Sequence, residues 1–148
     1  MFTKEERSTF KYWFAHWCAF QLVALVLKAW KPKYLLHDIE KPWLRLWYCG
    51  DYNKVQAWHR QHRKHHLGYP GKKDYLEMVI DWECSRFTKE SSPRTAYQEF
   101  KRKEHELSWE DYLGVKKALS YFGFTDGQGE VKLEDIRHYN PKYEEKRE

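Results

Sequence analysis

The chain has 148 residues, with 27 Lys and Arg against 22 Asp and Glu, a formal charge of +5, 41% hydrophobic and 33% charged positions. That length and balance fit one soluble globular domain over residues 1–148, large enough for a core that needs no staples. Three cysteines, Cys18, Cys49 and Cys84, with no CxxC pair, exclude a disulfide framework and fit buried thiols in a reducing cytoplasm.

The N-terminus mixes acid into its charged positions and has no small-residue cleavage site, so no targeting signal is expected. Thr3-x-x-Glu6 has the form of a capping box. Behind it Phe10, Trp13, Phe14, Trp17, Phe20, Ala24 and Leu25 recur at three- and four-residue intervals. This predicts a mostly buried helix running to about Trp30 and stopped by Pro32. Its most apolar stretch, 12–27, carries His16 and Gln21 and is too short and too polar for a membrane span. Residues 33–37 read as a short helix or turn leading into His37-Asp38, and Pro42 interrupts or starts a helix with Trp43, Leu44, Leu46, Trp47 and Tyr48 as its apolar content. Gly50-Asp51-Tyr52-Asn53 breaks the pattern. A helix over 53–67 follows and ends at Gly68-Tyr69-Pro70-Gly71.

From Asp74 to Phe87 the pattern is helical again and carries Asp81. Ser92 and Pro93 then read as N-cap and first residue of a helix over 93–105, and another helix covers about 109–122. Gly123 to Gly129 is loop. A calcium loop starting at Asp126 fails, because Gln128, Glu130 and Arg137 stand where ligands are needed. Residues 133–139 allow one or two last helical turns, and 140–148 read as a charged, frayed end. The expected fold is all-α, one compact helical domain of five to seven helices with the first at its centre. The site region is about 10–90 and a helical extension covers about 93–139. Most of the aromatic residues, 18% of the chain, fill the space between helices.

The chemistry lies in a series of imidazoles and carboxylates: His16, His37-Asp38, the block His59-Arg60-Gln61-His62-Arg63-Lys64-His65-His66, and Asp81. Such donors suit Zn, Fe, Mn or Co. On a helix at about 100° per residue, His59, His62 and His66 share one face, and His65 lies at its edge. A solvated basic face is the plain alternative for the block, and a satisfied core histidine for His16. Asp81 in an apolar run needs a counter-charge, which a metal, an N–H network or Arg86 could supply. Lys41, three residues after Asp38, could hold a phosphate beside a metal, as could Arg60, Arg63 and Lys64. Residues 54–73 hold six Lys and Arg and no acid, a local field that attracts phosphate groups.

The order His16, His37-Asp38, then Asp81 on a later helix resembles the HD-domain superfamily of metal-dependent phosphohydrolases. A closer likeness is to a small bacterial and phage family, the domain of unknown function numbered 5662. It rests on His37-Asp38-Ile39-Glu40-Lys41, on His59-Arg60-Gln61-His62-Arg63-Lys64-His65-His66, and on Asp81-Trp82-Glu83-Cys84-Ser85, and covers about residues 10–90. The resemblance implies an all-helical fold in which His16, His37, Asp38 and Asp81 bind a first divalent metal. It puts His62, His65 and His66 near a second metal or the phosphate.

The leading expectation is therefore a phosphohydrolase with one or two transition-metal ions, acting on a nucleotide or another small phosphorylated compound and not on a membrane. Asp38 orients the attacking water, while Lys41 and Arg63, helped by Arg60, Lys64 and His65, offset phosphate charge. Two alternatives stand beside it. One is nucleic-acid binding or metal-dependent cleavage, with Tyr69 and Tyr75 exposed to stack on bases. The other is a metal-stabilised structural module without activity.

Overall fold

The computed structural model describes residues 2–89 and 95–124. Among these the regular structure is all helical apart from an isolated bridge between Phe2 and Lys89. Six α-helices occur in the order α1 (Phe10–Val26), α2 (Lys41–Trp47), α3 (Tyr52–His62), α4 (Tyr75–Ser85), α5 (Ala96–Lys103) and α6 (Trp109–Tyr121). Short 3-10 turns occupy Glu5–Ser8, Pro32–Leu36 and Glu104–Glu106. The sequence expectations for Ser92, Pro93 and everything after Phe124 lie outside the described residues.

Helix starts follow side-chain chemistry. Thr9, Asp51, Asp74, Thr95 and Ser108 each accept a hydrogen bond from a backbone N–H of the first turn, satisfying donors that have no partner in the helix. Thr3 and Glu6 make the expected reciprocal capping box, but around the 3-10 turn before α1. The helix expected from residue 93 starts at Ala96, where Thr95 and Gln98 form a second capping box. The first helix ends at Val26, ahead of the expected limit at Trp30. Its terminus is closed by Lys28 in the left-handed region, φ 55°, with the Ala29 N–H bonded to the Ala24 carbonyl. No helix among the described residues is long and apolar enough to cross a membrane.

The core forms where α1 lies on α4 and α4 on α6. Ala19, Phe20, Val23 and Ala24 of α1 meet Met78, Val79, Ile80 and Cys84 of α4, all without solvent exposure. The centre of α1 is thus buried as expected, but its apolar pattern overstates the buried face. Phe10, Phe14 and Leu25 are exposed, and so are Trp43, Leu46 and Trp47 of α2. Glu83, fully buried on α4, accepts the Ala96 N–H at 2.8 Å and pairs with Arg86 at 3.0 Å, which ties the start of α5 to the core.

Gly114 on α6 permits the α4–α6 contact. A Cβ there would sit 2.3 Å from the Tyr75 ring, and that ring is anchored by a hydrogen bond from its hydroxyl to Asp111 at 2.8 Å. Gly114→Ala is expected to destabilise the protein by about 1–3 kcal/mol through overpacking, against the gain in helix propensity. Thermal melting checks this, and an unchanged or raised midpoint contradicts it.

Candidate metal centre

Four stretches of chain deliver the ligands. His16 sits mid-way along α1, where its ring stacks on Tyr12 at 5.9 Å. His37 and Asp38 follow the Pro32–Leu36 turn, and α1 itself pins that turn. Trp13 Nε1 donates to the Asp38 carbonyl at 2.7 Å, Trp17 Nε1 to Leu35 at 3.1 Å, and Gln21 Nε2 to Tyr34 at 2.7 Å. Asp38 has φ 55°, a left-handed conformation that Asp tolerates better than most residues. The His37 ring stacks on Phe20 with centroids 3.7 Å apart. Glu77 and Asp81, one helical turn apart, project from one face of α4.

The histidine block corrects the sequence expectation. Helix α3 stops at His62, because Arg63 is extended at φ −112°, ψ 130°. The loop then folds back onto α3, and Gly68 makes this possible: a Cβ there would lie 3.1 Å from the Arg60 carbonyl. The fold-back turns His65 and His66 inward toward His59. His59 shares the inner face of α3 with buried Val55, four residues earlier. His62, expected as a metal ligand, lies on the other side. It is exposed, stacks on Trp58 at 4.2 Å and bonds the Trp58 carbonyl.

Three groups of side chains could hold a metal ion, each with ligand atoms within 4.8 Å of one another. They are His16, His37, Asp38 and Asp81; Asp38, His59, His65 and His66; and His37, His65 and Glu77. Asp38 belongs to the first two and is the junction between them. Asp81 Oδ1 lies 2.9 Å from His16 Nε2 and 3.3 Å from His37 Nε2. Asp38 Oδ1 lies 2.9 Å from His59 Nε2, 3.2 Å from His65 Nε2 and 3.5 Å from His37 Nε2. Despite these distances, Nε2 of His37, His59, His65 and His66 and Oδ1 of Asp38 are buried without a hydrogen-bond partner, since the bond directions are wrong. Buried polar atoms are rarely left this way, and lone pairs gathered without hydrogens between them fit a cation.

The opposite ring nitrogens are satisfied, and that sets the tautomers. His37 Nδ1 meets Glu77 Oε1 at 3.0 Å, and His65 Nδ1 meets the same oxygen at 3.3 Å. His59 Nδ1 meets Glu40 Oε1 at 2.5 Å, while Arg63 forks onto both oxygens of Glu40. A carboxylate on Nδ1 keeps the proton there and leaves Nε2 as the ligand atom. Glu40 and Glu77 were not singled out in the sequence. Glu77 could have been found from its spacing, four residues before Asp81 on one helix.

Charges in the cluster follow from burial and proximity. Burial raises the pKa of Asp38, but His37, Lys41 and His59 outweigh it and hold the carboxyl well below its usual range. Asp81 is likewise held down, against the effect of burial, by its hydrogen bond with His16 and by the nearby His37 imidazole. Glu77 is lowered to about 2 by His37 and His65, and Glu40 to about 2 by His59 and Arg63, again against burial. Burial lowers His16, and the Asp81 contact does not make up the difference. His65 moves the other way. Burial opposes its charge, but the nearby carboxylates of Asp38 and Glu77 raise it to about 10. Burial and the neighbouring His65 charge push His66 down to about 2.

The remaining sequence candidates are dispersed. Lys41 bonds Asp38 Oδ2 at 2.7 Å and Arg63 is committed to Glu40. His65 sits among the ligand groups, and Arg60 is exposed on the wall of a cavity of about 580 Å³ whose lining also includes His66 and Asp81. Lys64 is exposed and lines neither this cavity nor a second, largely apolar one of about 480 Å³ beside His16, Asp38 and Lys41. Tyr75, expected to be exposed, is half-buried and bound to Asp111.

The chain is thus an all-α protein whose buried His/Asp groups could hold a metal ion. Compared with protein-family models, with curated proteins and with solved structures, it matches none.

Proposed function

We propose that this protein is a metal-dependent phosphohydrolase acting on a nucleotide or another small phosphoester. The observation that carries this reading is the set of buried Nε2 and Oδ1 atoms on His37, Asp38, His59, His65 and His66 that lack hydrogen bonds, gathered beside a cavity lined with Lys and Arg. The mixed imidazole and carboxylate donors suit Zn, Fe, Mn or Co, and Asp38 as shared member of two groups suits a pair of ions. The resemblance of the His16, His37-Asp38 and Asp81 order to HD-domain phosphohydrolases adds to it.

A divalent ion bound there supplies Lewis acidity and a water of lowered pKa. The chain does the rest. Glu40 and Glu77 engage Nδ1 of three imidazoles and leave Nε2 as the atom that faces the ion. Lys41 fixes Oδ2 of Asp38 and keeps further donors for the cavity it lines. In hydrolysis, water forms one P–O bond while the bond to the leaving group breaks and that group takes up a proton. Cations near the phosphoryl oxygens stabilise the charge in between.

A small substrate is favoured over a nucleic-acid strand because the basic stretch 54–73 is broken up. Arg63 is paired with Glu40, Lys73 with Asp111 at 3.0 Å and Lys54 with Asp51 at 4.0 Å, while Arg60 lines a cavity of about 580 Å³. Protein loaded with Mn²⁺, Co²⁺, Zn²⁺ or Fe²⁺ is expected to release product from nucleoside phosphates, and Asp38→Asn to lose at least about 100-fold in turnover. Cleavage of short single strands but not of nucleotides would favour the nuclease reading. No turnover with any metal would favour the structural module.

A further inference from the structure

The cavity of about 580 Å³ on the His66 and Asp81 flank is bounded by the N-terminal segment, the end of α3, the end of α4 and α5. Several of its cations are already neutralised: Arg86 by Glu83 at 3.0 Å, Arg102 by Glu99 at 2.6 Å, and Lys103 by the same Glu99 at 3.6 Å. Lys4, Arg60 and Lys89 are different, since among the described residues none of the three forms an ion pair. Lys4 is held over the cavity because the N-terminus is fastened down. Phe2 is buried against Tyr12, its N–H bonds the Thr88 carbonyl at 2.7 Å, and it bridges to Lys89. Lys89 is itself half-buried; burial disfavours its charge, and the nearby Asp81 carboxylate, opposed by Arg7 and Lys41, offsets that only in part. Unmatched cations collected in a confined volume repel one another, and the arrangement becomes favourable once a multiply charged anion fills it.

We propose that this cavity is a subsite for a phosphate chain, so that the substrate is a di- or triphosphate and not a monophosphate. This rests on the phosphohydrolase reading and names the substrate class for the same centre. His66 and Asp81 share the lining of this cavity with Lys4, Arg60 and Lys89, so a chain of phosphates that starts at them has more of these cations within its span than a single phosphate has. The organic part then falls in the apolar cavity on the His16 and Asp38 flank, whose lining includes Trp13 and Tyr52.

The test uses the full chain freed of metal, because polyphosphates strip ions, and measures binding of inorganic orthophosphate, pyrophosphate and tripolyphosphate by calorimetry. Tripolyphosphate is expected to bind at least about tenfold tighter than orthophosphate, and Lys89→Met and Arg60→Gln each to reduce its affinity roughly five- to tenfold, the size of one charge-assisted contact. Lys72→Gln and Lys11→Gln, which remove exposed cations outside the cavity, are expected to change little. Melting curves confirm that each variant is folded, and Arg60→Gln, at an exposed position, serves if Lys89→Met is not. Equal affinity for the three anions, or equal losses from Lys72→Gln and Arg60→Gln, overturns the subsite. The two ideas fail separately. Turnover of nucleotides without any preference for longer phosphate chains removes the subsite alone. Tight, cavity-dependent tripolyphosphate binding with no turnover under any metal removes the hydrolase alone.

Discussion

Metal content is expected to fall to background in His37→Ala and Asp81→Ala, with affinity reduced by at least about 100-fold, while the far-ultraviolet spectrum stays helical. Both residues belong to the group with His16 and Asp38, and His37 also belongs to the group with His65 and Glu77. Glu77→Gln is the more discriminating variant. It keeps the side-chain volume but removes the charge that holds Nδ1 of His37 and His65, and outer partners of this kind are worth about 10–100-fold in affinity. Glu40→Gln acts in the same way through His59. Binding also stabilises the fold: at about 1,000 times the dissociation constant, free metal adds about 4 kcal/mol, which chelation removes. Elemental analysis and thermal melting with and without chelator check these outcomes. Wild-type metal content in both alanine variants would falsify the ligand assignment.

The metal-free protein is expected to be most stable near pH 6.5 and to lose stability on either side. His66 is lowered from 6.5 to about 2, so its contribution is present above pH 6.5 and is lost as pH falls toward 2. Glu40 and Glu77, lowered from 4.5 to about 2, add a second loss that begins below pH 4.5. His65 has the opposite sign. Raised from 6.5 to about 10, it contributes fully below pH 6.5, and that contribution disappears as pH rises toward 10. His37, also raised, acts in the same direction. Metal loading changes the alkaline side, since a ligand nitrogen must give up its proton. Uptake at neutral pH is expected to release about one proton from His65, and the alkaline decline should flatten. Melting temperatures between pH 3 and 10, and the buffer dependence of the binding enthalpy, measure both effects. A midpoint of the metal-free protein that climbs steadily to pH 9 would contradict this balance.

The helices were legible because their signals are local. Apolar spacing marked most starts within a few positions, and Pro32, Gly50 and Gly68 marked breaks, while the N-caps of α1 and α5, Thr9 and Thr95, are not the ones the sequence pattern suggests. Orientation was less legible. The aromatic runs around Phe10, Phe14 and Trp47 look like core and face outward, since a helix rich in rings on all sides does not say which side its neighbours cover. Within the site, His16, His37, Asp38, Asp81 and His66 could be picked out by residue type and order. The sequence places His59 in a helical row with His62 and His66 and does not show that His62 turns away, because nothing at Arg63 announces the end of α3. The bend there is a tertiary effect, set by Arg63 pairing with Glu40 and by the close approach of Gly68 to Arg60. Glu40 carries no signal in the sequence, and Glu77 only its spacing from Asp81, because an acidic residue on a helix surface is ordinary until its imidazole partner is known.

His16 and Asp81 stand 65 positions apart, on α1 and α4, the two helices that share the core. An ion gripping both closes that stretch as a disulfide would, and loop closure of such length is worth roughly 4 kcal/mol in the chain-entropy picture. Cys18, Cys49 and Cys84 are all free, so the chain has no permanent tie of this kind. A metal clasp differs from a covalent one in being removable. If an ion is bound there, separation of α1 from α4 waits for it to depart, and resistance to proteases is expected to follow metal supply and stay indifferent to reducing agents.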